Sequence, residues 1–209
     1  MKWHDVEQNS DEWLALRLGR ATASGYAKFM ANIGKPFGDP ALRYALQIAL
    51  ERVTGNKSEF SFKSDDMERG HEQEPIARML YEEQTFSDVQ NGGFFDWGDW
   101  GTSPDGLIAH DGVLEIKCVI APTHHATIRR KSFDPAYKWQ IVGHLDGTGR
   151  DWVDFASFCS DYPEHRQLVV YRTYRDEVQE ELNQLAERRE QFLELVRREV
   201  EQLQQKEAA

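Results

Sequence analysis

The chain has 209 residues, of which 40% are hydrophobic, and a formal net charge of −11 at pH 7. A chain of this length can bury one well-filled core, so we expect a single domain over residues 1–209. No apolar run approaches the ~20 residues that a membrane-spanning helix requires. Residues 1–5 are not expected to begin a signal peptide, because no apolar region follows them. The sequence therefore predicts a cytosolic protein.

The acidity of the chain limits how it could bind nucleic acid. Its negative net charge excludes a protein that coats nucleic acid with its whole surface, because phosphates would be repelled. Cys118 and Cys159, the two cysteines, have no spacing that indicates zinc. A DNA enzyme of this composition must confine its positive potential to a groove or channel, where divalent cations held by carboxylates would offset part of the repulsion.

The first part of the chain, to about residue 90, is predicted to be helical. Asp39 at a cap position, Pro40 at the first helical position and Gly55 just past the end mark the clearest helix. A segment that opens at Ser64 and continues to about Glu83 is expected to break at Pro75, because proline lacks the amide hydrogen that a helix interior needs. Two shorter helices are predicted before it: one starts within residues 9–12 and ends at Leu18, and one is capped by Thr22 or Ser24.

Residues from about 91 to 175 are predicted to form a mixed central β-sheet. His110-Asp111-Gly112 is a turn signal that joins two strands into a hairpin. Asp134-Pro135 begins a helix that is expected to end at Gly147. The predicted strands cover residues 94–97, 107–109, 113–119, 152–158 and 168–174.

Apolar residues recur at helical spacing from Val178 onward and predict one long helix over about 177–206. Its stripe is more typical of a core or subunit contact than of a catalytic surface. The pattern of elements as a whole predicts an α/β fold in which helices flank a mixed central sheet. The stripe consists of Leu182, Leu185, Phe192, Val196, Val200 and Leu203.

Three residues around the predicted hairpin suggest a metal site. Glu115 and Lys117 lie two apart on one strand and so point to the same face. Asp105 lies on the other side of the hairpin, so its carboxylate approaches Glu115, and the two would repel unless a cation or proton lay between them. Hard oxygen ligands suit Mg²⁺ or Mn²⁺ better than zinc. The alternatives are an ordinary half-exposed strand and a simple Pro-Asp-Gly turn.

Gln140 is an amide within a mostly apolar face of the helix after Asp134-Pro135, together with Tyr137, Ile141, His144 and Leu145. A buried amide needs hydrogen-bond partners, and an active site would supply them. A core glutamine bonded to backbone is an equally good interpretation of this pattern alone.

These residues resemble a known group of nucleases. Asp105, the Glu115-Ile116-Lys117 triplet and Gln140 are similar to the PD-(D/E)XK signature, which implies a restriction-endonuclease-like core. The chain more closely resembles the phage lambda-type exonucleases, also called YqaJ-like viral recombinases. That resemblance runs in order from about Trp13 to Gln140 and is carried by residues 13–19, 22–24, 70–74 with Ala77, and 103–106.

The resemblance implies a role for each matching residue. Asp105, Glu115, the carbonyl of Ile116 and, directly or through water, Glu74 would hold the metal, with two ions in each active site. Lys117 would position and help deprotonate the attacking water. The remaining positions, which would bind the 5′-phosphate of the degraded strand, are Arg17, Ser24 and Ser103, with Gln140 as a further candidate.

The resemblance also implies an activity: magnesium-dependent 5′→3′ digestion of one strand from an end of double-stranded DNA, which leaves 3′ single strands for recombination. Lambda-type relatives form ring-shaped homotrimers and work with a single-strand annealing protein, and a phage or prophage enzyme would act in the bacterial cytosol. Three alternatives remain: another PD-(D/E)XK endonuclease, a Cas4-like processing enzyme, and a non-catalytic DNA-end-binding subunit. The Cas4-like proteins carry four cysteines that this chain lacks.

Two other groups of residues are weaker candidates for a functional site. His124 and His125 could bind a metal, but adjacent histidines without a third partner are more typical of loops or surfaces. Phe94, Phe95, Trp97 and Trp100 could stack on bases, and strand-core packing is the better interpretation of them.

Overall fold

The computed structural model describes residues 1–58 and 65–205, and for residues 65–68 and 71 it describes the backbone alone. The predicted boundaries at Ser64 and residue 206 lie outside the described residues. Within the described part the chain has a mixed α/β fold that ends in a long helix, which confirms the predicted fold class. The strands are divided between two mixed sheets.

The helices are spread along the whole chain, and short 3₁₀ turns lie at Ala23–Gly25, Pro135–Tyr137, Glu164–Arg166 and Arg175–Val178. None of the described helices is both long and apolar enough to cross a membrane. The α-helices are α1 (Asp11–Arg17), α2 (Ala27–Met30), α3 (Asp39–Thr54), α4 (Asp65–Thr85), α5 (Ala121–Arg130), α6 (Lys138–Thr148) and α7 (Gln179–Gln204).

The strands form a four-stranded sheet in the order β1-β4-β5-β2 and a five-stranded sheet in the order β3-β6-β7-β8-β9. In the larger sheet β7 runs antiparallel to β6 and parallel to β8. The strands are β1 (Lys2–His4), β2 (Ala21–Thr22), β3 (Val89–Asn91), β4 (Phe94–Asp96), β5 (Trp100–Thr102), β6 (Gly106–Ile108), β7 (Gly112–Cys118), β8 (Trp152–Phe158) and β9 (Leu168–Tyr174).

The part before residue 90 differs from its helical prediction in three ways. β1 and β2 pair with strands near residue 100, so the segment is not wholly helical. The cap residue of α3 is Gly38, not Asp39. Pro75 does not break α4, and the prediction of a break there was wrong. Ala77 and Tyr81, which follow the proline, are fully buried against the sheet, and their packing outweighs the hydrogen bond that Pro75 removes.

The predicted end of α6 at Gly147 was also wrong, since the helix continues to Thr148 and is capped by Gly149. Gly149 has a φ of 71°, a left-handed conformation that glycine adopts without steric cost. Gly147 is needed for another reason, because a Cβ there would lie 2.6 Å from Thr102 Cγ2. The glycine lets α6 approach β5 closely.

The larger sheet is covered on both faces. One core cluster joins Val113 and Phe155 of this sheet to buried residues of α2, α3, α6 and α7. The second joins Leu114 and Ile116 to Tyr81 of α4. Because side chains alternate along a strand, β7 points Glu115 and Lys117 to the same side as Val113, toward α6.

The stripe of α7 is mainly core, which is one of the two roles expected for it. Phe192 is fully buried and stacks on Phe29 with ring centroids 4.5 Å apart. Leu203, near the end of the stripe, is exposed. The stripe residues Leu182, Leu185 and Val196 are buried as well.

The aromatic group near β4 and β5 is also core in the main. Phe94, Phe95 and Trp100 are buried, which confirms strand-core packing for them. Trp97 is the exception, since it is 43% exposed and stacks on Trp100 at 5.0 Å.

Candidate active site

One cavity of about 500 Å³ lies where the end of β7 meets α1, α4 and α6. Its walls include every residue that the family resemblance assigned to catalysis, metal binding or phosphate binding. The structure therefore brings together positions that are spread over more than a hundred residues of sequence. They are Arg17, Ser24, Glu74, Ser103, Asp105, Glu115, Ile116, Lys117 and Gln140.

Two hydrogen bonds hold Asp105 against β7, one from its backbone amide and one to its carboxylate. It lies immediately before β6, and its amide donates to the Leu114 carbonyl at 3.1 Å. The Ile116 amide donates to Asp105 Oδ2 at 2.6 Å. Gln8 Nε2 donates to the Pro104 carbonyl at 2.8 Å and makes a longer contact of 3.4 Å with Asp105 Oδ1. These hydrogen bonds therefore fix the position of the Asp105 carboxylate in the cavity wall.

Glu115 is fully buried and is surrounded by donors. Gln140 Nε2 donates to Oε1 at 2.6 Å, and His144 Nε2 donates to Oε2 at 2.7 Å. Lys117 forms a salt bridge with Oε1. Burial alone would raise the pKa of Glu115, but the charges of Lys117 and His144 lower it to about 2. Glu115 is therefore ionised at neutral pH.

The charges of Asp105 and Lys117 follow from the same environment. Burial, and then the charge of Glu115, raise the pKa of Asp105 well above its ordinary value. Burial opposes the charged form of Lys117, yet Glu115 and Asp105 together raise its pKa above its ordinary value. The resting site thus combines an ionised Glu115, an ammonium at Lys117 and an Asp105 that retains its proton more readily than a free carboxyl.

The raised pKa of Asp105 predicts how the metal-free protein responds to pH. A carboxyl whose pKa is higher in the folded than in the unfolded protein contributes its full stabilisation below the unfolded pKa, which is about 3.9 for Asp. That contribution is lost as pH rises through the folded pKa. We expect the free energy of unfolding in EDTA to fall as pH rises from the unfolded pKa toward the raised folded pKa, by at most about 1.4 kcal/mol per pH unit for this one proton. The lowered pKa of Glu115 acts only at lower pH, since its contribution is lost as pH falls through about 2.

Urea unfolding at several pH values checks this expectation, with Asp105→Asn as the matched variant. The asparagine keeps an acceptor for the Ile116 amide but cannot ionise, so its stability should fall less steeply with pH than that of the wild type. Parallel curves for the two proteins would show that Asp105 has an ordinary pKa.

A second part of the cavity is built around Arg17. Its guanidinium lies over the Trp13 ring, 4.1 Å from the centroid, and makes long contacts of 3.3 and 3.4 Å with the hydroxyls of Thr22 and Ser24. Trp13 Nε1 donates to Ser103 Oγ at 2.6 Å. Burial lowers the pKa of Arg17, and no carboxylate of the described residues forms an ion pair with it. An arginine in such a place is suited to an anionic ligand.

The cavity wall offers several oxygen atoms that could bind a hard divalent cation. Asp105, Glu115, Glu74 and the Ile116 carbonyl all offer oxygen, which suits Mg²⁺ or Mn²⁺. The charge of Glu74 contributes to the raised pKa of Asp105, so the two carboxylates are within electrostatic range. The part of the chain that the structure describes contains no preformed group of three His, Cys, Asp or Glu side chains around one point. The residues fit a magnesium site that uses backbone oxygen and water as well as carboxylates.

Sequence reasoning missed several residues of this cavity. His144 was noted only as part of a helix face, although it follows Gln140 by four residues, the spacing that places both on one side of α6. Trp13 was noted only as part of the matching segment 13–19. Gln8 gave no signal, since Asp105, which it contacts, is 97 residues away in the chain. Thr102, which lies behind His144 and not in the cavity wall, gave none either, since its partner is 42 residues away.

The expectation for the two adjacent histidines was wrong in part. Both lie on α5, not in a loop, and His124 is fully buried. Its ring bonds to the Ser157 hydroxyl at 2.8 Å and to the Arg166 carbonyl at 2.9 Å. His125 is exposed and bonds to the Tyr162 hydroxyl at 2.8 Å. Neither lines the cavity.

Comparison with known proteins agrees with the motifs. The model of the YqaJ-like viral recombinase domain matches residues 12–151, which is more than half of the chain. The chain belongs to the YqaJ-like viral recombinase family. This confirms the resemblance seen in the sequence. No curated protein sequence matches the chain significantly.

Solved structures of exonucleases share the fold. An alkaline exonuclease (LHK-Exo) from Laribacter hongkongensis is 31% identical, with a TM-score of 0.83 over 93% of this chain and 96% of that one. The same enzyme in complex with dAMP is 32% identical, with a TM-score of 0.81 over the same shares. A phage related exonuclease from Haemophilus somnus 129PT is 14% identical, with a TM-score of 0.69 over 88% of this chain and 94% of that one, and supports the fold alone.

Proposed function

We propose that this protein is a phage-type exonuclease that degrades one strand of double-stranded DNA, 5′→3′, from a 5′-phosphorylated end with the help of a divalent metal. The 3′ single strands that remain would serve recombination by strand annealing. The observation that carries the proposal is that one cavity holds the carboxylates of Asp105 and Glu115 beside Lys117, together with an arginine among hydroxyls. A hydrolytic centre next to an anion pocket suits an enzyme that acts at a phosphorylated end.

Four groups would hold the metal: the carboxylates of Asp105 and Glu115, the Ile116 carbonyl and, directly or through water, Glu74. Two Mg²⁺ ions are proposed for each site, with Mn²⁺ as a substitute. Bound ions would lower the pKa of a coordinated water and neutralise charge on the scissile phosphate. The hydrogen bonds to Asp105 and Glu115 hold these carboxylates in place before any ion arrives.

Lys117 would act on the scissile phosphate and the attacking water. Its pKa is raised by Glu115 and Asp105, so its amine carries a proton in the resting site. A protonated amine can orient a water and stabilise negative charge in the transition state, but it cannot accept a proton. The charge state therefore favours the positioning part of the proposed role over proton abstraction.

The pocket around Arg17 would receive the terminal 5′-phosphate, with hydroxyls from Ser24 and Ser103 completing the shell. Gln140 was a candidate for the same pocket and for catalysis. Its amide donates to Glu115, which favours a role in holding that carboxylate. The relative LHK-Exo has been crystallised with dAMP, a mononucleotide of the kind that stepwise hydrolysis of a DNA strand releases.

A linear duplex with one 5′-phosphorylated and one 5′-hydroxyl end tests the proposal. We expect the strand that starts at the phosphorylated end to be lost in Mg²⁺ and to survive in EDTA. Each strand carries its own label, so the direction of digestion is read from the order in which fragments appear.

The rival functions give different results in the same assay. Cuts in closed circular DNA would indicate an endonuclease of the same superfamily. Binding to duplex ends without cleavage in any divalent metal would indicate a non-catalytic subunit. Either result would contradict the proposal.

The route of the duplex toward the cavity is suggested by α5. The start of this helix is at the cavity wall, where Ile120 and Thr123 line it. Its other end carries Arg129, Arg130 and Lys131, which are exposed and form no ion pair with any described residue. Ten residues of helix span about 15 Å, or roughly four base pairs at 3.4 Å each. In an acidic protein, this basic run offers a place for the phosphates of the approaching duplex.

Replacing the three basic residues together, Arg129→Gln, Arg130→Gln and Lys131→Gln, tests this route. Each lost phosphate contact should lower the slope of log Kd against log salt by about 0.9. Fluorescence anisotropy with a labelled duplex in EDTA, between about 50 and 200 mM salt, measures that slope. The matched control is Arg197→Gln with Arg198→Gln, which removes exposed charges from α7 that pair with Glu194. Equal slopes for the two variants would contradict the route.

The assembly and the setting of the enzyme are proposed from the family resemblance. A ring-shaped homotrimer would place the acidic surface outside and leave the channel for DNA. A single-strand annealing protein is the proposed partner, and the host cytosol is the proposed location of a phage or prophage enzyme. Light scattering of the purified protein measures the number of subunits.

A further inference from the structure

His144 connects Glu115 to a residue on the other sheet. It lies one turn after Gln140 on α6, and its side chain is 1% exposed. Nε2 is 2.7 Å from Glu115 Oε2, and Nδ1 is 2.6 Å from the hydroxyl of Thr102, which is itself fully buried on β5. Both nitrogens of the imidazole are therefore used, and the ring cannot turn without breaking two hydrogen bonds.

The direction of these hydrogen bonds follows from the chemistry of the groups. An ionised carboxylate only accepts hydrogen bonds, so Nε2 of His144 carries the hydrogen that Glu115 receives. A hydroxyl can either donate or accept, so the Thr102 hydroxyl can hydrogen-bond to Nδ1 whether or not that nitrogen carries a hydrogen. Thr102 thus holds the ring in the orientation in which Nε2 donates to Glu115, as the outer partner of a metal-ligand histidine fixes the orientation of its ring.

The partners of Glu115 also decide which of its oxygens is open to a cation. A carboxylate has about four acceptor positions, two on each oxygen. Gln140 and Lys117 both approach Oε1, whereas Oε2 has His144 as its one partner among the described residues. One acceptor position on Oε2 is left for a further ligand.

The helix that carries His144 is seated closely on its neighbours. A Cβ at Gly147 would lie 2.6 Å from Thr102 Cγ2, and one at Gly143 would lie 2.8 Å from Tyr26 Cδ2. These two glycines flank His144 on α6 and bring the helix backbone against β5 and the turn before α2. The backbone that carries His144 is thereby seated directly against the strand that carries Thr102.

We propose that His144, held by Thr102, is a positioning residue that fixes Glu115 so that the open acceptor position of Oε2 faces a divalent cation. The inference rests on the proposed metal-dependent function and adds two residues to it that touch neither DNA nor metal. Thr102 acts only through His144, and His144 acts only through Glu115.

Direct metal binding tests the inference without DNA. Thr102→Val keeps the shape of the side chain and removes its hydroxyl. We expect the Kd of the full-length protein for Mn²⁺, measured by electron paramagnetic resonance, to rise about 10- to 100-fold, the loss typical of outer-shell partners of metal ligands. Thr102→Ser keeps the hydroxyl and should retain most of the affinity.

Thr148→Val is the matched control. It removes another buried hydroxyl next to His144, but that hydroxyl donates to the backbone carbonyl of His144 and not to its ring. Its Kd for Mn²⁺ should equal that of the wild type. Unchanged affinity in Thr102→Val, or an equal loss in Thr102→Val and Thr148→Val, would overturn the inference.

A second pair of variants separates positioning from folding. His144→Gln retains an amide donor of similar reach, whereas His144→Leu has none. The leucine variant should need at least 10-fold more Mg²⁺ for half-maximal DNA cleavage, and the glutamine variant should recover part of the difference. A reduced kcat at an unchanged Mg²⁺ requirement would count against positioning.

Failure of this inference is distinguishable from failure of the proposed function. If the wild type cleaves DNA and Thr102→Val binds Mn²⁺ normally, only the inference fails. If the wild type binds Mn²⁺ and Thr102→Val weakens that binding, but the wild type leaves every DNA end intact, the proposed function fails and the inference stands. Absence of Mn²⁺ binding by the wild type would overturn both.

Discussion

Lys117→Met is expected to lower the rate of DNA cleavage about 10²- to 10³-fold, the loss typical of one group that stabilises charge in a transition state. The methionine keeps most of the length of the side chain and removes the ammonium. In the resting site that ammonium bonds to Glu115 and lies over the Tyr137 ring, 5.2 Å from its centroid. The ammonium lies close to Glu115 and Asp105, two of the carboxylates that are proposed to hold the metal.

The effect should appear in kcat at saturating Mg²⁺ and saturating DNA, measured by release of labelled nucleotides. Lys57→Met is the control, because Lys57 is exposed and does not line the cavity. The melting temperature of each variant is measured alongside, since loss of the ammonium also removes a partner of buried Glu115. A folded Lys117→Met protein with the wild-type rate would show that this lysine is not part of the catalytic centre.

Arg17→Gln is expected to remove the preference for phosphorylated ends. A hydrogen bond to a charged group contributes about 1.5–3 kcal/mol, so kcat/KM on 5′-phosphorylated duplex should fall roughly 10- to 150-fold. The rate on 5′-hydroxyl ends should change little, since that substrate has no charge for Arg17 to bind. The half-buried guanidinium already lies among hydroxyls and above the Trp13 ring, without an ion-pair partner among the described residues.

Arg20→Gln is the matched control for this variant. Arg20 lies three residues further along the chain, pairs with Asp96 at 3.2 Å and does not line the cavity. Its replacement should leave the ratio of rates on the two kinds of end unchanged. If Arg17→Gln lowered both rates equally, Arg17 would contribute to general DNA binding and the phosphate pocket would be assigned incorrectly.

The local pattern of the chain was sufficient for much of the fold and for the centre of the site. The strands predicted at residues 152–158 and 168–174 have those bounds in the structure. The turn at 110–112 does join β6 to β7, and alternation along β7 does place Glu115 and Lys117 on one face. These features depend on residues close in sequence, where side-chain period and turn preference act directly.

Other features depended on packing between distant segments. Nothing near Pro75 indicates that α4 continues through it, because the stabilising contacts of Ala77 and Tyr81 are made with the sheet. The short strands β1 and β2 exist only because β4 and β5 offer them hydrogen-bond partners. The division of the strands into two sheets follows from the same pairings.

The sequence by itself determined the family, the carboxylates and lysine of the candidate site, and the face of β7 that carries them. Tertiary structure decided what surrounds Glu115: Gln140 and His144 from α6, and Thr102 behind His144 from the second sheet. The physical reason is that a hydrogen bond between residues 25 to 42 positions apart depends on how α6 packs, and that packing is set by glycines and core residues throughout the fold. Residue type can mark a candidate, but only the packed structure shows which groups it contacts.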